Sequence, residues 1–423
     1  MARISERQER LSLRLVLLMT LAFLLGSRNA RDLLDLLPFA SLISHGVMFL
    51  IFGIIGLFSF AFLRSLLTGV PSESGLKSFV PVMIVIALKY LLLFILDPGE
   101  FMTGLGMAAP GGFFVSNLMD MFQFGIIFLP AIMFLLYSRD FYELSMINLS
   151  LVIGCSVAPA VGFVFFPEMI GTRETNVGGI SFSGSFWNSS VIGVVATLWS
   201  SLSLWEHYSR GKKWSLIALL TFIVLGAMVG LSRTAFVCLG GSFMAYLSVS
   251  KGFFKKTGVA VVILAGLFVF FKSFDAVTVN LEKRMAHESD LKEDSRVRLW
   301  KDYYEHLPEF FAFGVWKEGY RSYSTEGKGP HSIYLNWLAR FGIFGLAAFF
   351  WLLFGLVRST LRMCKLFSRD KMAMTAAWII SYLALGSYNE SGFMEPCFYA
   401  VMAFIFVQVR LGVAQSRTEN IAL

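Results

Sequence analysis

Apolar runs of about 17 to 25 residues recur along the whole of this chain, and that feature decides which folds are open to it. Hydrocarbon offers no water to satisfy backbone N–H and C=O groups, so a chain lying in it forms helices or a closed barrel. The runs are continuous rather than alternating in polarity, which selects helices. Composition agrees: 56% of the 423 residues are hydrophobic and 15% are charged, more apolar surface than a soluble protein of this length can hide. The expectation is an all-α polytopic membrane protein of about twelve transmembrane helices, forming a single integral membrane domain over 1–423.

The spans are expected at 11–27, 41–64, 79–97, 113–137, 146–165, 190–206, 214–231, 235–250, 257–273, 335–357, 372–388 and 397–411. The first run follows Arg3, Arg7 and Arg10 and has the outline of a signal peptide, but the spans that follow it favour an uncleaved first helix. An even number of crossings puts both termini on one side. If that side is the cytoplasm, the clusters Arg210-Lys212-Lys213, Lys251-Lys255-Lys256 and Arg358, Arg362, Lys365, Arg369, Lys371 all fall inside, as the positive-inside rule requires. The reading is a multi-pass protein of a bacterial inner membrane, with one long periplasmic loop at 274–334.

The same rule accounts for the net charge of +8 without nucleic acid as a partner. The four cysteines, Cys155, Cys238, Cys364 and Cys397, have neither metal-ligand nor disulfide spacing, and no Walker loop, GxGxxG, HExxH or GxSxG motif stands in a credible context. No cofactor or metal is expected.

The periplasmic loop breaks the charge rule, for it holds Lys283, Arg284, Lys292, Arg296, Arg298, Lys301, Lys317, Arg321 and Lys328. One account is that a long loop escapes the rule and is balanced by Glu282, Glu288, Asp290, Glu293 and Asp294. The other is an anionic ligand at the outer leaflet, since the planar guanidinium fork matches phosphate oxygens; a polyprenyl diphosphate is such a ligand.

Four features lie near periplasmic ends of spans. Arg233, in Leu231-Ser232-Arg233-Thr234-Ala235, suits either snorkelling to headgroups or a diphosphate clamp. Arg296 and Arg298 begin Arg296-Val297-Arg298-Leu299-Trp300, which with Tyr303, Tyr304 and Leu307 reads as an amphipathic helix in the interface. His331 follows a Gly329-Pro330 turn at the mouth of a span, where an imidazole is either structural or poised for proton transfer. Gly184-Ser185-Phe186-Trp187-Asn188 opens the sixth span, its aromatics suiting an interfacial belt and Asn188 a helix cap. Deeper in the outer half, Lys89 and Asp120 are placed to pair, and Arg340 shares the polar layer beneath His331.

Taken in order, these blocks resemble the O-antigen ligase and polymerase superfamily of polyprenyl-diphosphate-dependent glycan transferases, most strongly from about residue 178 to 350. His331-Ser332, nine residues, then Gly342 and Gly345 match the family's pattern of His, a small polar residue and a Gly-x-x-Gly. The chain departs from it at Gly314 to Gly319, where relatives commonly have a Gly-rich segment, and at Ser185 to Ser189, which lacks their Pro-Asn pair.

The resemblance implies a GT-C-like membrane glycosyltransferase that carries out inverting transfer from an undecaprenyl-diphosphate-linked glycan to an acceptor sugar hydroxyl. It implies that Arg233, Arg296 and Arg298 bind the donor diphosphate and that His331 is catalytic or positions the acceptor. The acceptor glycolipid is a lipid A core in a ligase or a second lipid-linked glycan in a polymerase, and the His331 block leans towards ligase. A flippase or other transporter of a lipid-linked sugar is the non-enzymatic alternative; it predicts polar groups through the full membrane depth.

Overall fold

The computed structural model describes residues 12–27, 53–54, 74–96, 117–165, 174–177, 180–183, 185–229, 233–250, 258, 295–315, 323–325, 329–388 and 395–422. In chain order these form α1 (Leu13–Ser27), α2 (Ser74–Leu96), α3 (Asn117–Tyr137), α4 (Phe141–Phe165), β1 (Glu174–Val177), β2 (Ile180–Ser183), α5 (Ser185–Ser203), α6 (Arg210–Val229), α7 (Arg233–Val249), α8 (Ser295–Glu305), α9 (Leu307–Phe310), α10 (Ile333–Leu366), α11 (Arg369–Tyr388) and α12 (Pro396–Ala422). Helices thus stand at ten of the twelve expected spans. The other two, 41–64 and 257–273, fall outside the described residues apart from 53–54 and 258. Among the described residues five helices are long and apolar enough to cross a membrane: Gly75–Leu96, Phe141–Val164, Arg210–Met228, Ile333–Leu366 and Pro396–Thr418.

One feature departs from an all-helical chain. β1 and β2 pair antiparallel with Val177 opposite Ile180, so only Gly178 and Gly179 separate them. A two-residue connection of glycines between residues of β propensity is a hairpin signal, outweighed in the sequence by the surrounding apolar runs.

The helices pack tightly. Gly26 on α1 and Gly154 on α4 face each other so closely that a Cβ on either would collide with the other helix's backbone. Small residues permit this approach where lipid leaves packing as the main attraction between helices. The bundle centre is strongly aromatic, with Phe128 against Tyr399 at 4.5 Å and Trp337 stacked on Phe349 at 5.6 Å.

Basic residues draw the helix ends of one face together. Arg14 on α1 donates to the Tyr137 carbonyl and pairs with Glu143, and Arg410 on α12 donates to the carbonyls of Leu135 and Ser138. Arg369, the first residue of α11, donates to the Val249 carbonyl at the end of α7. Cations there satisfy the last carbonyls of α3 and α7 and lie at the negative ends of their dipoles. Lys371 pairs with Glu206 at 3.3 Å, and His207 stacks on Phe141 at 4.3 Å. Burial, and then the nearby Lys371, hold His207 below the ordinary imidazole range.

Polar side chains also occur nearer this basic face. Asn148 donates to Ser201 and Tyr208, each at 2.9 Å, and accepts from Ser200 at 3.0 Å, while Gln408 donates to Ser203 at 3.1 Å. Polarity is therefore not confined to the half that holds Lys89 and Arg340. These groups answer one another across α4, α5 and α12, as interhelical hydrogen bonds do in membranes.

Candidate functional site

At the face opposite the basic one, α8 and α9 form a small cap on the first turns of α10. The pattern of α8 explains its docking: Leu299 and Tyr303 point inward and are buried, whereas Val297, Arg298 and Tyr304 are exposed. Tyr303 and Phe310 pack with Val315, Leu338 and Ala339 in a satellite core. The amphipathic helix expected around Arg296-Val297-Arg298-Leu299-Trp300 is therefore present, with Arg296 half-buried and Arg298 exposed.

A hydrogen bond joins this helix to the histidine block. The Trp300 indole Nε1 donates to the Pro330 carbonyl at 2.8 Å. His331, next in the chain, is the one non-glycine residue with positive φ among the described residues, at φ 47°. Side chains rarely enter that left-handed region, and in folded proteins such outliers gather at functional sites. Ser332 then returns to extended backbone at φ −140°, and α10 begins at Ile333. The first turn is pinned by Asn336, whose amide donates to the Ser332 carbonyl at 3.0 Å.

A second strap holds the segment ahead of this turn. Asp302 on α8 accepts from the Thr325 backbone N–H at 3.0 Å and from its hydroxyl at 2.8 Å. Those two bonds, the backbone one first, hold the Asp302 carboxyl below its usual range. Tyr323 lies against His306 and Phe310, with ring centroids at 5.2 and 5.4 Å. His306 is further bound to Glu309 at 2.9 Å, a local role at the surface.

Below His331, α10 is broken. Gly342 has φ 64° and ψ −164°, outside the helical region. Thirty-four residues would make about 51 Å of straight helix, well beyond the hydrocarbon thickness, and the break divides them. A break orphans the carbonyls before it and the N–H groups after it. Here Val315 N–H donates to the Ala339 carbonyl at 2.8 Å, Ile343 N–H donates to Phe311 at 2.7 Å, and the Lys89 ammonium donates to the Arg340 carbonyl. Gly314, at φ 74°, sits against the Arg340 carbonyl, and Gly342 sits against that of Ala312, with no room for a Cβ at either. Gly342 thus seats a loop, and Gly314 is the loop's matching half.

Lys89, expected to pair with Asp120, caps this break and lies over the Phe341 ring at 5.0 Å. Asp120 is on the first turns of α3; its side chain lies outside the described residues, as the pairing does. Arg340 is buried, its guanidinium over Phe124 at 5.8 Å, and from Ile333 to Arg340 the helix rises about 10 Å. Arg233 is the first residue of α7 and Asn188 lies in the first turn of α5; neither side chain is among those described. The structure therefore ties α8, which carries Arg296 and Arg298, to the turn of His331 through Trp300, and sets Lys89 and Arg340 at the break beneath that turn. The sequence offered no sign of that role for Lys89, because its partner is a backbone carbonyl.

The fold and this cap define a polytopic α-helical membrane protein with arginines and a histidine presented together at one face. Residues 180–350, less than half of the chain, match the family model described as O-Antigen ligase (Wzy_C), which supports the O-antigen ligase and polymerase superfamily for that stretch. The match spans the hairpin's second strand, α5 to α9 and the broken start of α10. No curated protein matches the chain.

Proposed function

We propose that this protein transfers a glycan from an undecaprenyl-diphosphate-linked donor to a sugar hydroxyl on an acceptor glycolipid, and that it acts as an O-antigen ligase on a lipid A core. The observation that carries the reading is the Trp300–Pro330 hydrogen bond, which joins Arg296 and Arg298 to His331 inside the matched segment. In this reading the acceptor oxygen attacks the anomeric carbon opposite the diphosphate. A carbon–oxygen bond to the acceptor forms as the bond to phosphate breaks, and the electron pair leaves on the diphosphate. Arg233, Arg296 and Arg298 stabilise that developing charge, and His331 receives the hydroxyl proton or orients the hydroxyl.

The proposed topology has twelve crossings, a cytoplasmic basic face with both termini, and a periplasmic site on the loop 274–334. The helix ends support this count. α1 starts on the basic face with Arg14, and so does α2, whose Gly75 packs on Leu135 and Phe406. α7 ends there at Val249, whereas α8 docks at the opposite face. Each pair of ends is placed as one further crossing between them requires.

Joining lipid-linked repeats is the second reading, favoured by the same matched segment, since ligase and polymerase share donor chemistry. The test is the lipopolysaccharide of a deletion strain. Loss of all O-antigen bands supports ligase, and survival of one-repeat bands supports polymerase. Unchanged bands with loss of a secreted polymer would assign an exopolysaccharide polymerase instead.

A further inference from the structure

We infer that Trp300 is a positioning residue for His331, setting the imidazole's place relative to the arginines of α8; the inference rests on the proposed transfer reaction. A peptide plane is rigid, so the Pro330 carbonyl and the His331 N–H turn together. Rotation of that plane changes ψ of Pro330 and φ of His331 in concert, and a flip would take His331 out of the left-handed region. The indole N–H, at 2.8 Å from the Pro330 oxygen, fixes the plane and so holds His331 at φ 47°. A strained backbone of this kind persists only where its surroundings over-determine it. Pro330 contributes its own fixed φ, and Ser332 is committed to α10 through the Asn336 bonds.

The other end of the tether is equally firm. Trp300 follows the buried Leu299, and Tyr303, one turn on, is buried in the satellite core. Arg296 precedes Trp300 by four residues and so lies on the same side of α8. One side chain therefore couples the residue proposed to hold the leaving diphosphate with the residue proposed to meet the acceptor. In-line transfer needs those two in fixed separation, and a shift of about 1 Å is enough to cost on the order of a hundredfold in rate.

The test compares purified wild type with Trp300→Phe and with benzothienylalanine at position 300, an isostere in which sulfur replaces the ring N–H. Two readouts are taken: steady-state transfer, and the pH profile of carbethoxylation of His331 by diethyl pyrocarbonate, followed by peptide mass spectrometry with His306 as internal reference. The expected result is a kcat lower by about 10- to 100-fold with donor KM within about twofold, and a displaced His331 profile against an unchanged His306. Wild-type kcat and His331 profile in both variants would overturn the inference. So would a lowered kcat with an unmoved His331 profile, which would place the effect elsewhere. If Trp300→Phe does not fold, the isostere decides alone. If wild type transfers nothing from the lipid diphosphate, it is the functional reading that fails, and the modification profile still decides the role of Trp300.

Discussion

On the basic face Arg14, Arg369 and Arg410 donate to carbonyls at helix C-termini and Lys371 pairs with Glu206; on the opposite face Arg298 projects from α8 at the surface and Arg296 lies half-buried beside it. The same residue types are set in different surroundings. On the first face each charge meets permanent partners on neighbouring helices, so it joins elements of the fold. On the second, α8 is anchored by the buried Leu299 and Tyr303 and by the indole of Trp300, and it carries its arginines to the mouth where His331 is held in a rare backbone conformation. The cations of the first face join elements of the fold, and those of the second are the ones proposed to meet the donor diphosphate.

The largest effect that tests this contrast is expected at His331. His331→Ala should lower transfer by about a hundred- to ten-thousandfold in a purified assay while donor binding persists, the range over which general bases contribute. His306→Ala, which removes a surface contact with Glu309, should transfer normally. A dead His306 variant beside an active His331 variant would mean that the wrong histidine has been assigned.

Arginine-to-lysine exchange separates the faces next. A lysine at 296 keeps the charge and loses the bidentate fork, so transfer should fall by roughly 10- to 100-fold, as the loss of a hydrogen bond to a charged group implies. The same exchange at Arg410 leaves an ammonium able to donate to the Leu135 or Ser138 carbonyl, and transfer should stay within about twofold. Equal losses at both positions, measured at matched expression, would erase the distinction between the faces.

Beneath the site, Lys89→Met is expected to act on stability. It strips the Arg340 carbonyl of its donor at the helix break, and an unsatisfied buried carbonyl costs about 1 to 3 kcal/mol. Thermal unfolding in detergent should therefore shift downward by several degrees. An unchanged midpoint would show that the break does not need its cap.

How much of this was legible in the sequence depends on whether a feature rests on local pattern or on distant backbone. The spans were readable because lipid demands long apolar runs, and the amphipathic character of α8 because Leu299 and Tyr303 repeat at helical spacing. The expected span 335–357 ends short of the helix: Arg358, Arg362 and Lys365 mark a basic cluster at its inner end, yet arginine and lysine are good helix formers and the helix continues through them to Leu366. Gly342 was visible as one of a pair of glycines, and nothing in sequence distinguished it, at φ 64°, from Gly345 within the helix. The partners of Lys89 and Trp300 were hidden for one reason: both donate to backbone carbonyls, at Arg340 and Pro330, and every residue offers one.

The smallest effect is expected at Asp302, and pH supplies its test. A carboxyl held below its usual range contributes most when ionised, so the Asp302–Thr325 strap is present above the ordinary carboxylate pKa of about 4 and is lost as pH falls through the lowered folded value. Asp302→Asn keeps an acceptor for Thr325 but removes the charge. At neutral pH the variant should be nicked somewhat faster than wild type by an added protease between α9 and α10, with transfer close to normal, because Trp300 still fixes the Pro330 peptide. In acid, where Asp302 itself is protonated, the cleavage rates of the two proteins, followed with a protease active there, should converge. A difference that persists unchanged into acid would show that the carboxylate charge is not what holds the strap; a variant that also loses transfer at neutral pH would show that the cap relies on Asp302 as much as on Trp300, and that the tether to His331 is shared.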